Sequence, residues 1–399
     1  MKRILTASIL AALPLLAADE PKVSKPAAAV PAEAKAAEKK PERPRIEVCF
    51  VLDTTGSMGG LIEGAKQKIW GIANDIIAAK PTPEVRFSLV AYRDRGDEYV
   101  TKRVELTDDL DAVYAKLRQF QAAGGGDEPE SVSEALDEAV QKIEWSQDRS
   151  VLKIIYLVGD APPQQYPDGK DWKKVCEAAV KRDLIVNTIQ CGANQRTTPV
   201  WRDIAGHGEG AYVAIAQDGA VAVIETPQDK ELAELSVKIG STFIACGTAD
   251  QRRFALAKQE AADFSVGGAT GVATAPKAAL NATADRAAYN WNTGRVVQGG
   301  NELLDALKEG RMKLAEVKAE SLPEEYQKLS PEELKDVVAK KQAERETIQK
   351  RIGELSKERE AFLTAERARL IKEHKADGFD AQVAATLREQ AKKKGIKYE

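Results

Sequence analysis

Histidine and cysteine are scarce in this chain of 399 residues. Its two histidines, His207 and His374, are far apart and have no nucleophile pattern nearby, which argues against a hydrolase with a Ser–His–Asp triad. The cysteines are widely spaced and form no paired zinc-chelating motif: Cys49, Cys176, Cys191 and Cys246. Cys49 and Cys191 lie inside apolar, strand-like runs, so we expect buried thiols there rather than disulfides.

A strong charge of one sign is missing as well. The formal net charge is -3, so the sequence lacks the excess of positive charge that is typical of nucleic-acid-binding proteins. It also contains no glycine-rich phosphate loop that ends in Lys-Ser or Lys-Thr. We therefore expect neither a nucleic-acid partner nor a phosphate-loop nucleotide site.

The apolar run near the N-terminus is too short to cross a membrane. It follows Met1-Lys2-Arg3 and has roughly 15 residues, whereas a spanning helix needs about 20. A basic start, a short apolar run and small residues before Asp19 are typical of a signal peptide, so we predict that residues 1–18 are removed on export. Residues 19–44 are almost entirely Ala, Pro, Lys and Glu, which is typical of a disordered linker. We expect a periplasmic or extracellular bacterial protein that keeps no stable membrane span.

Strand and helix patterns alternate regularly from residue 45 to residue 247. The predicted strands are 46–52, 85–92, 99–106, 151–158, 184–190 and 211–215. The predicted helices are 61–79, 110–120, 131–145, 172–181, 199–205 and 232–244. The run at 151–158 is almost wholly apolar, as expected for a central strand covered on both faces. This alternation predicts an α/β fold with a doubly wound, mostly parallel sheet flanked by helices.

The pattern changes after the α/β region. Residues 248–300 have no convincing strands and read as an irregular connection, and residues 301–399 read as a helical region. Ser330-Pro331-Glu332-Glu333 places Ser at the N-cap, Pro at N1 and Glu at N3, so we predict that a long helix starts there. Its Ile348, Ile352 and Leu355 have coiled-coil spacing over a short stretch. A helical hairpin, a short coiled coil and a homo-oligomer formed through these helices all remain open.

The first predicted strand runs into the sequence Asp53-Thr54-Thr55-Gly56-Ser57. Ligands of open α/β sheets bind at the carboxyl ends of the strands. Asp53 offers a carboxylate there, and Thr55 and Ser57 offer hydroxyls, all of them hard oxygen donors. A turn of this composition on its own is more often a helix N-cap than a metal site.

With these residues the sequence resembles the von Willebrand factor A (VWA) family. The metal-ion-dependent adhesion site (MIDAS) of that family takes Asp-x-Ser-x-Ser from a first loop, Thr from a second loop and Asp from a third. Asp53, Thr55 and Ser57 match the first element. The resemblance covers about residues 45–247 and implies a bound divalent cation that a partner protein engages.

The second and third loops complete the resemblance, with one departure. Asp160 follows the apolar strand at 151–158 and matches the third element. The second loop falls at 124–130, where Asp127 takes the place of the usual Thr. An additional carboxylate should strengthen metal binding and weaken the attraction of an incoming anion, so a neutral or water-mediated outside ligand becomes plausible.

Convergence of the three loops is the physical argument for a metal. Three carboxylates in one crevice would raise one another's pKa values unless a divalent cation neutralised them. Oxygen donors suit Mg²⁺, Mn²⁺ or Ca²⁺, and Mg²⁺ is favoured because it tends to keep waters and leaves room for an outside ligand. The predicted metal ligands are Asp53, Thr55, Ser57, Asp127 and Asp160.

These observations favour a non-enzymatic, exported binding protein that engages a protein or a cell-envelope component through its metal. The first alternative is a structural or assembly protein that acts through its C-terminal helices. The second is a metal-dependent phosphoesterase, because metal sites rich in Asp can hydrolyse phosphoesters.

Two further groups of residues call for an interpretation. The segment Tyr92-Arg93-Asp94-Arg95 reads most simply as a charged hairpin turn, and its place beside the metal loops leaves a contact role open. Four tryptophans in predicted helices are expected to pack in the core: Trp70, Trp145, Trp172 and Trp201.

Overall fold

The computed structural model describes residues 43–126, 128–218, 223–265, 272–373 and 379–398. The predicted signal peptide, nearly all of the predicted linker, Asp127 and His374 lie outside these ranges. Within them, no helix is long and apolar enough to cross a membrane.

The described residues form a six-stranded sheet with the order β3-β2-β1-β4-β5-β6. Its strands are β1 (Arg45–Asp53), β2 (Glu84–Tyr92), β3 (Thr101–Thr107), β4 (Leu152–Gly159), β5 (Leu184–Cys191) and β6 (Glu209–Ile215). Only the edge strand β3 runs antiparallel to its neighbour. Every residue of β4 is buried, in agreement with its apolar sequence. The predicted fold class is confirmed.

Helices cover the sheet and continue beyond it. They are α1 (Gly59–Ile77), α2 (Leu110–Leu117), α3 (Val132–Asp137), α4 (Trp172–Lys181), α5 (Thr197–His207), α6 (Asp229–Gly240), α7 (Ala249–Ser265), α8 (Lys277–Thr293), α9 (Leu303–Lys308), α10 (Glu324–Gln327), α11 (Pro331–Lys372) and α12 (Phe379–Lys393). One turn of 3₁₀ helix, Gly56–Met58, joins β1 to α1.

Alternate residues of the central strands enter two separate hydrophobic cores. Phe50 of β1 belongs to the core under α1, α2 and α12, whereas Val51 belongs to the core under α3, α4 and α5. This alternation follows from the pleat of the strand. All four predicted core tryptophans are buried, and all four cysteines are buried free thiols, as expected for Cys49 and Cys191.

Residues 248–300 differ from the predicted irregular connection, because they contain the helices α7 and α8. Ala284 and Ala287 of α8 are buried in a core shared with Leu232 of α6 and Ile352 of α11. Alanine side chains carry little of the hydrophobic periodicity that marks a helix in a sequence, yet they allow close helix packing. The Ala-rich composition therefore concealed a packed helix.

The long helix α11 begins where the sequence predicted. The backbone N–H of Ser330 donates to Glu333 Oε2 at 2.8 Å, and the N–H of Glu333 donates to Ser330 Oγ at 3.3 Å, so the capping box is formed. Ile348, Ile352 and Leu355 are buried against α6 and α8 of the same chain. The short seam is therefore occupied within the chain and is not free to form a dimerisation stalk.

The last helix, α12, returns to the sheet. The ring of Phe379 lies 6.1 Å from that of Phe50 in β1, and the hydroxyl of Tyr156 in β4 donates to Val383 O at 3.2 Å. Asn187 of β5 and Gln390 exchange two amide hydrogen bonds of 3.1 and 2.6 Å. The end of the helical region thus completes the core of the sheet.

Candidate metal site

The first loop begins at the end of β1. Asp53 is fully buried, and its Oδ1 accepts hydrogen bonds from the Thr55 backbone N–H at 2.9 Å and from the Thr55 hydroxyl at 2.7 Å. The other oxygen, Oδ2, has no hydrogen-bond partner. Ser57 is exposed, with its Oγ 3.4 Å from Thr55 Oγ1. The loop thus holds two hydroxyls and a buried, unpaired carboxylate oxygen together.

The third loop lies beside it because β1 and β4 are parallel neighbours. A Cβ placed on Gly159, the last residue of β4, would lie 3.0 Å from Asp53 Oδ2, so the two strand ends are in close contact. Asp160 follows directly, and its Oδ2 accepts a hydrogen bond of 2.6 Å from Gln217 Nε2. Asp53 and Asp160 thus lie at the same edge of the sheet.

The second loop contributes Glu130, a residue that sequence reasoning missed. Glu130 is 3% exposed, and its Oε2 has no hydrogen-bond partner. The residue lines a cavity of about 290 Å³. Other polar residues of the lining are Thr55, Ser57, Glu128, Asp160, Asn194 and Gln217. Asp127, the predicted ligand from this loop, lies outside the described residues, so the structure does not place it.

Backbone hydrogen bonds fasten the second loop to its two neighbours. Gly56 N donates to Gly124 O at 3.2 Å, and Ala123 N donates to Thr54 O at 3.1 Å. On the other side, Glu130 N donates to Pro162 O at 3.0 Å. The three loops therefore form one connected edge.

The segment 92–95 begins the connection between the antiparallel strands β2 and β3, so the predicted hairpin turn is present, but two of its charged residues are buried. Arg93 and Asp94 are each 5% exposed. Arg93 Nε donates to Thr54 O at 3.1 Å, and its Nη2 donates to Gln121 O at 2.8 Å. Asp94 accepts hydrogen bonds from the hydroxyls of Ser131 and Tyr166, both at 2.7 Å. Both side chains therefore hold the loops together on their buried side. Their polar atoms find hydrogen-bond partners inside the protein.

Burial and neighbouring carboxylates raise the pKa values of two carboxyl groups of the site, Asp53 and Glu130. Burial raises the pKa of Asp53 to about 7 against the lowering effect of its hydrogen bonds from Thr55, and Asp160 raises it further. Burial also raises the pKa of Glu130 to about 9, with Asp53, Asp94 and Asp160 among the carboxylates that add to the shift. Neighbouring carboxylates thus add to the raised pKa values of Asp53 and Glu130, and a cation would relieve that repulsion.

The set of donors fits a hard divalent cation. Thr55, Ser57, Glu130 and Asp160 line one accessible cavity, and Asp53 is bonded to Thr55. Hydroxyl and carboxylate oxygens of this kind are the ligands of Mg²⁺, Mn²⁺ and Ca²⁺. In the described ranges, no group of three or more His, Cys, Asp and Glu side chains is placed to hold a metal by itself. Hydroxyls would therefore have to contribute, as they do in the site that the sequence resembles.

Three residues of the cavity lining, Glu130, Asn194 and Gln217, were not predicted from the sequence, and only one of them follows a strand pattern that could have indicated it. Gln217 follows β6, and the meeting of parallel strand ends at one edge could have indicated it. Glu130 and Asn194 lie in loops whose side-chain directions depend on contacts with distant segments. His207 is exposed on α5 and stays outside the site, with its Nδ1 2.8 Å from Asp203 O.

Comparison with known proteins agrees with this architecture. Residues 47–228, slightly less than half of the chain, match the family model of the von Willebrand factor A domain. This matched part of the chain contains nearly the whole sheet and the described metal-site residues.

Individual relatives match only part of their length. Over 121 residues the chain is 39% identical to von Willebrand factor A domain-containing protein 7 of Rattus norvegicus and 37% identical to that of Homo sapiens. The match covers 30% of this chain but only 12% of each relative. Proximal thread matrix protein 1 from the mussel byssus, solved with a zinc-occupied MIDAS motif, aligns with a TM-score of 0.35 and 15% identity over 44% of this chain and 43% of its own. So weak a likeness carries no inference about a metal in this chain.

Proposed function

We propose that this chain is a non-enzymatic binding protein of the bacterial cell envelope, whose VWA-type domain holds a divalent cation and presents it to a protein or an envelope component. One observation carries the proposal: Glu130 lines an accessible cavity with Thr55, Ser57 and Asp160, and both Glu130 and Asp53, which is bonded to Thr55, keep a buried carboxylate oxygen without a partner. Leaving such oxygens buried without a partner is costly, and a cation would remove that cost.

Mg²⁺ is the proposed ion, with Mn²⁺ and Ca²⁺ as alternatives that the same oxygen donors accept. Asp53 would hold Thr55 in position through its two hydrogen bonds, and Gln217 would hold Asp160. The ion would supply an electrophilic centre to which an outside oxygen ligand binds. Export through the predicted signal peptide would place this edge in the periplasm or outside the cell.

Metal uptake is the first test. Titration calorimetry of the full chain with Mg²⁺, Mn²⁺ and Ca²⁺ should show binding of at least one ion to the wild type and none to Asp53→Asn. The Asn side chain keeps a similar shape and still offers an oxygen to Thr55, so a loss of binding would reflect the missing charge. No uptake of any of the three ions by the wild type would refute the metal site.

Partner capture is the second test. Pull-down from an envelope extract should recover at least one partner with the wild type that is lost with a chelator and lost with Asp53→Asn. Recovery of the same partners under all three conditions would contradict a metal-dependent contact.

The alternative is an assembly protein that acts through its C-terminal helices. Deleting those helices is not a suitable test of it. Removing residues 301–399 would also remove α12, which covers Phe50 and Tyr156 of the sheet. Such a deletion would disrupt both regions at once. A function that survives in Asp53→Asn after metal uptake is lost would favour assembly instead.

A further inference from the structure

We propose that Glu130 supplies the second-loop oxygen that binds the cation, where the MIDAS of the VWA family has a Thr hydroxyl. This inference rests on the proposed function, because it concerns the same ion. Glu130 stands just before α3, and its backbone is fixed on both sides: its N–H donates to Pro162 O at 3.0 Å, and its carbonyl accepts from Gln164 N at 2.7 Å.

The direction of the Glu130 side chain is the main evidence. A Cβ built on Gly125 would meet Glu130 Oε1 at 3.1 Å and the Cβ of Thr55 at 2.9 Å. The absence of a side chain at Gly125 therefore lets the Glu130 carboxylate and the Thr55 side chain approach the same place. Glu130 lines the cavity with Ser57 and Asp160. It is only 3% exposed, yet its Oε2 has no hydrogen-bond partner.

Three other polar side chains of the lining are already engaged: Glu128, Asn194 and Gln217. The carboxylate of Glu128 accepts from the Asn194 amide and forms an ion pair with Arg196. The amide of Gln217 donates to Asp160. Among the lining side chains described, Glu130 therefore offers a carboxylate oxygen that no protein group uses.

A carboxylate in place of a hydroxyl changes the chemistry of the site. Coordination by Glu130 would add a third carboxylate to the edge that already holds Asp53 and Asp160, so the occupied site would keep a net negative charge. Such a site should hold its ion without the help of a partner's carboxylate, and it should attract an acidic ligand weakly. A neutral oxygen, such as an amide or a hydroxyl, is the ligand class that fits.

Binding of Mn²⁺ alone to the full chain tests the assignment, measured by calorimetry and by the electron paramagnetic resonance signal of free Mn²⁺. Glu130→Gln should weaken binding by tenfold or more, because a ligand oxygen with a full charge is lost. Glu128→Gln is the matched control: it removes the same charge from the same cavity, but from a carboxylate already paired with Arg196. We expect less than a threefold change for Glu128→Gln.

A second variant separates charge from coordination. Glu130→Asp keeps the charge and withdraws the carboxylate by one methylene, so it should also weaken Mn²⁺ binding by several-fold. Thermal unfolding with a chelator present shows whether each variant folds, and Glu130→Gln should be at least as stable as the wild type because a buried, unpaired carboxylate is removed.

The outcomes distinguish this inference from the proposed function. Equal losses for Glu130→Gln and Glu128→Gln, or wild-type affinity in Glu130→Gln together with no binding in Asp53→Asn, would overturn the role of Glu130 and leave the metal site standing. Absence of Mn²⁺, Mg²⁺ and Ca²⁺ binding in the wild type would overturn both.

Discussion

At the scale of single residues, the metal site depends on small side chains as much as on charged ones. Gly159 ends β4 directly beside Asp53, where a Cβ would lie 2.4 Å from the hydroxyl oxygen of Tyr92 and 3.0 Å from Asp53 Oδ2. That Tyr92 hydroxyl is buried without a hydrogen-bond partner. The two neighbouring strands can therefore bring Asp53 and Asp160 together only if this position has no side chain.

Gly159→Ala is expected to lower the free energy of unfolding by about 1–3 kcal/mol, because the added methyl group overpacks the strand end. Urea unfolding with a chelator present would measure the change. Gly206→Ala on α5 is the control: a Cβ there meets nothing within 4 Å, and Ala favours a helix over Gly by up to about 1 kcal/mol. Equal stabilities of Gly159→Ala and the wild type would show that the strand end has room.

At the scale of elements, α1 is where the sheet and the C-terminal helices meet. Asp75 of α1 lies 3.7 Å from both Arg367 of α11 and Arg388 of α12. Burial raises the pKa of Asp75 to about 6, although the two arginines oppose the shift. The effect of desolvation on the pKa of Asp75 therefore outweighs the opposite effect of the two arginines.

A pH dependence of stability follows from the raised pKa of Asp75. Since the pKa is about 3.8 in the unfolded chain and about 6 in the fold, the group stabilises the fold below pH 4, and this contribution is lost as the pH rises through 6. Between pH 4 and pH 7 the wild type should lose roughly 1–3 kcal/mol relative to Asp75→Asn.

Urea unfolding of both proteins across this pH range measures the difference, in which contributions from the metal site cancel. Asp336→Asn, at an exposed position of α11, is the control and should give a difference from the wild type that does not vary with pH. A constant difference for Asp75→Asn as well would contradict the prediction.

At the scale of the whole molecule, buried arginines tie the C-terminal helices to the helices that cover the sheet. Arg286 of α8 pairs with Asp111 of α2 at 2.7 Å. Arg359 of α11 lies between Asp229 of α6 and Asp285 of α8, at 2.7 and 2.6 Å. With α12 on the sheet, these pairs suggest that the two regions unfold together.

Arg359→Met should destabilise the protein by about 3–5 kcal/mol, because it leaves Asp229 and Asp285 buried without their cation. Calorimetric melting should show one transition at a lower temperature. Arg351 lies eight residues before Arg359 on the same helix and forms an exposed ion pair with Glu231. We expect Arg351→Met, which removes that pair, to change the melting temperature little. If the Arg359 variant instead shows two separate transitions, with the later one at the wild-type temperature, the regions are independent.

The sequence by itself determined the order of strands and helices in the α/β region, the placing of Asp53 and Asp160 at neighbouring strand ends, and the start of α11 after Ser330. These features follow from short-range patterns: apolar periodicity, capping residues and the rule that parallel strands end at one edge. Only the tertiary structure decided that Glu130 faces the cavity, that Arg93 braces the loops and that α12 closes the sheet. The physical reason is that each of these depends on contacts between segments far apart in the chain, which no local pattern encodes.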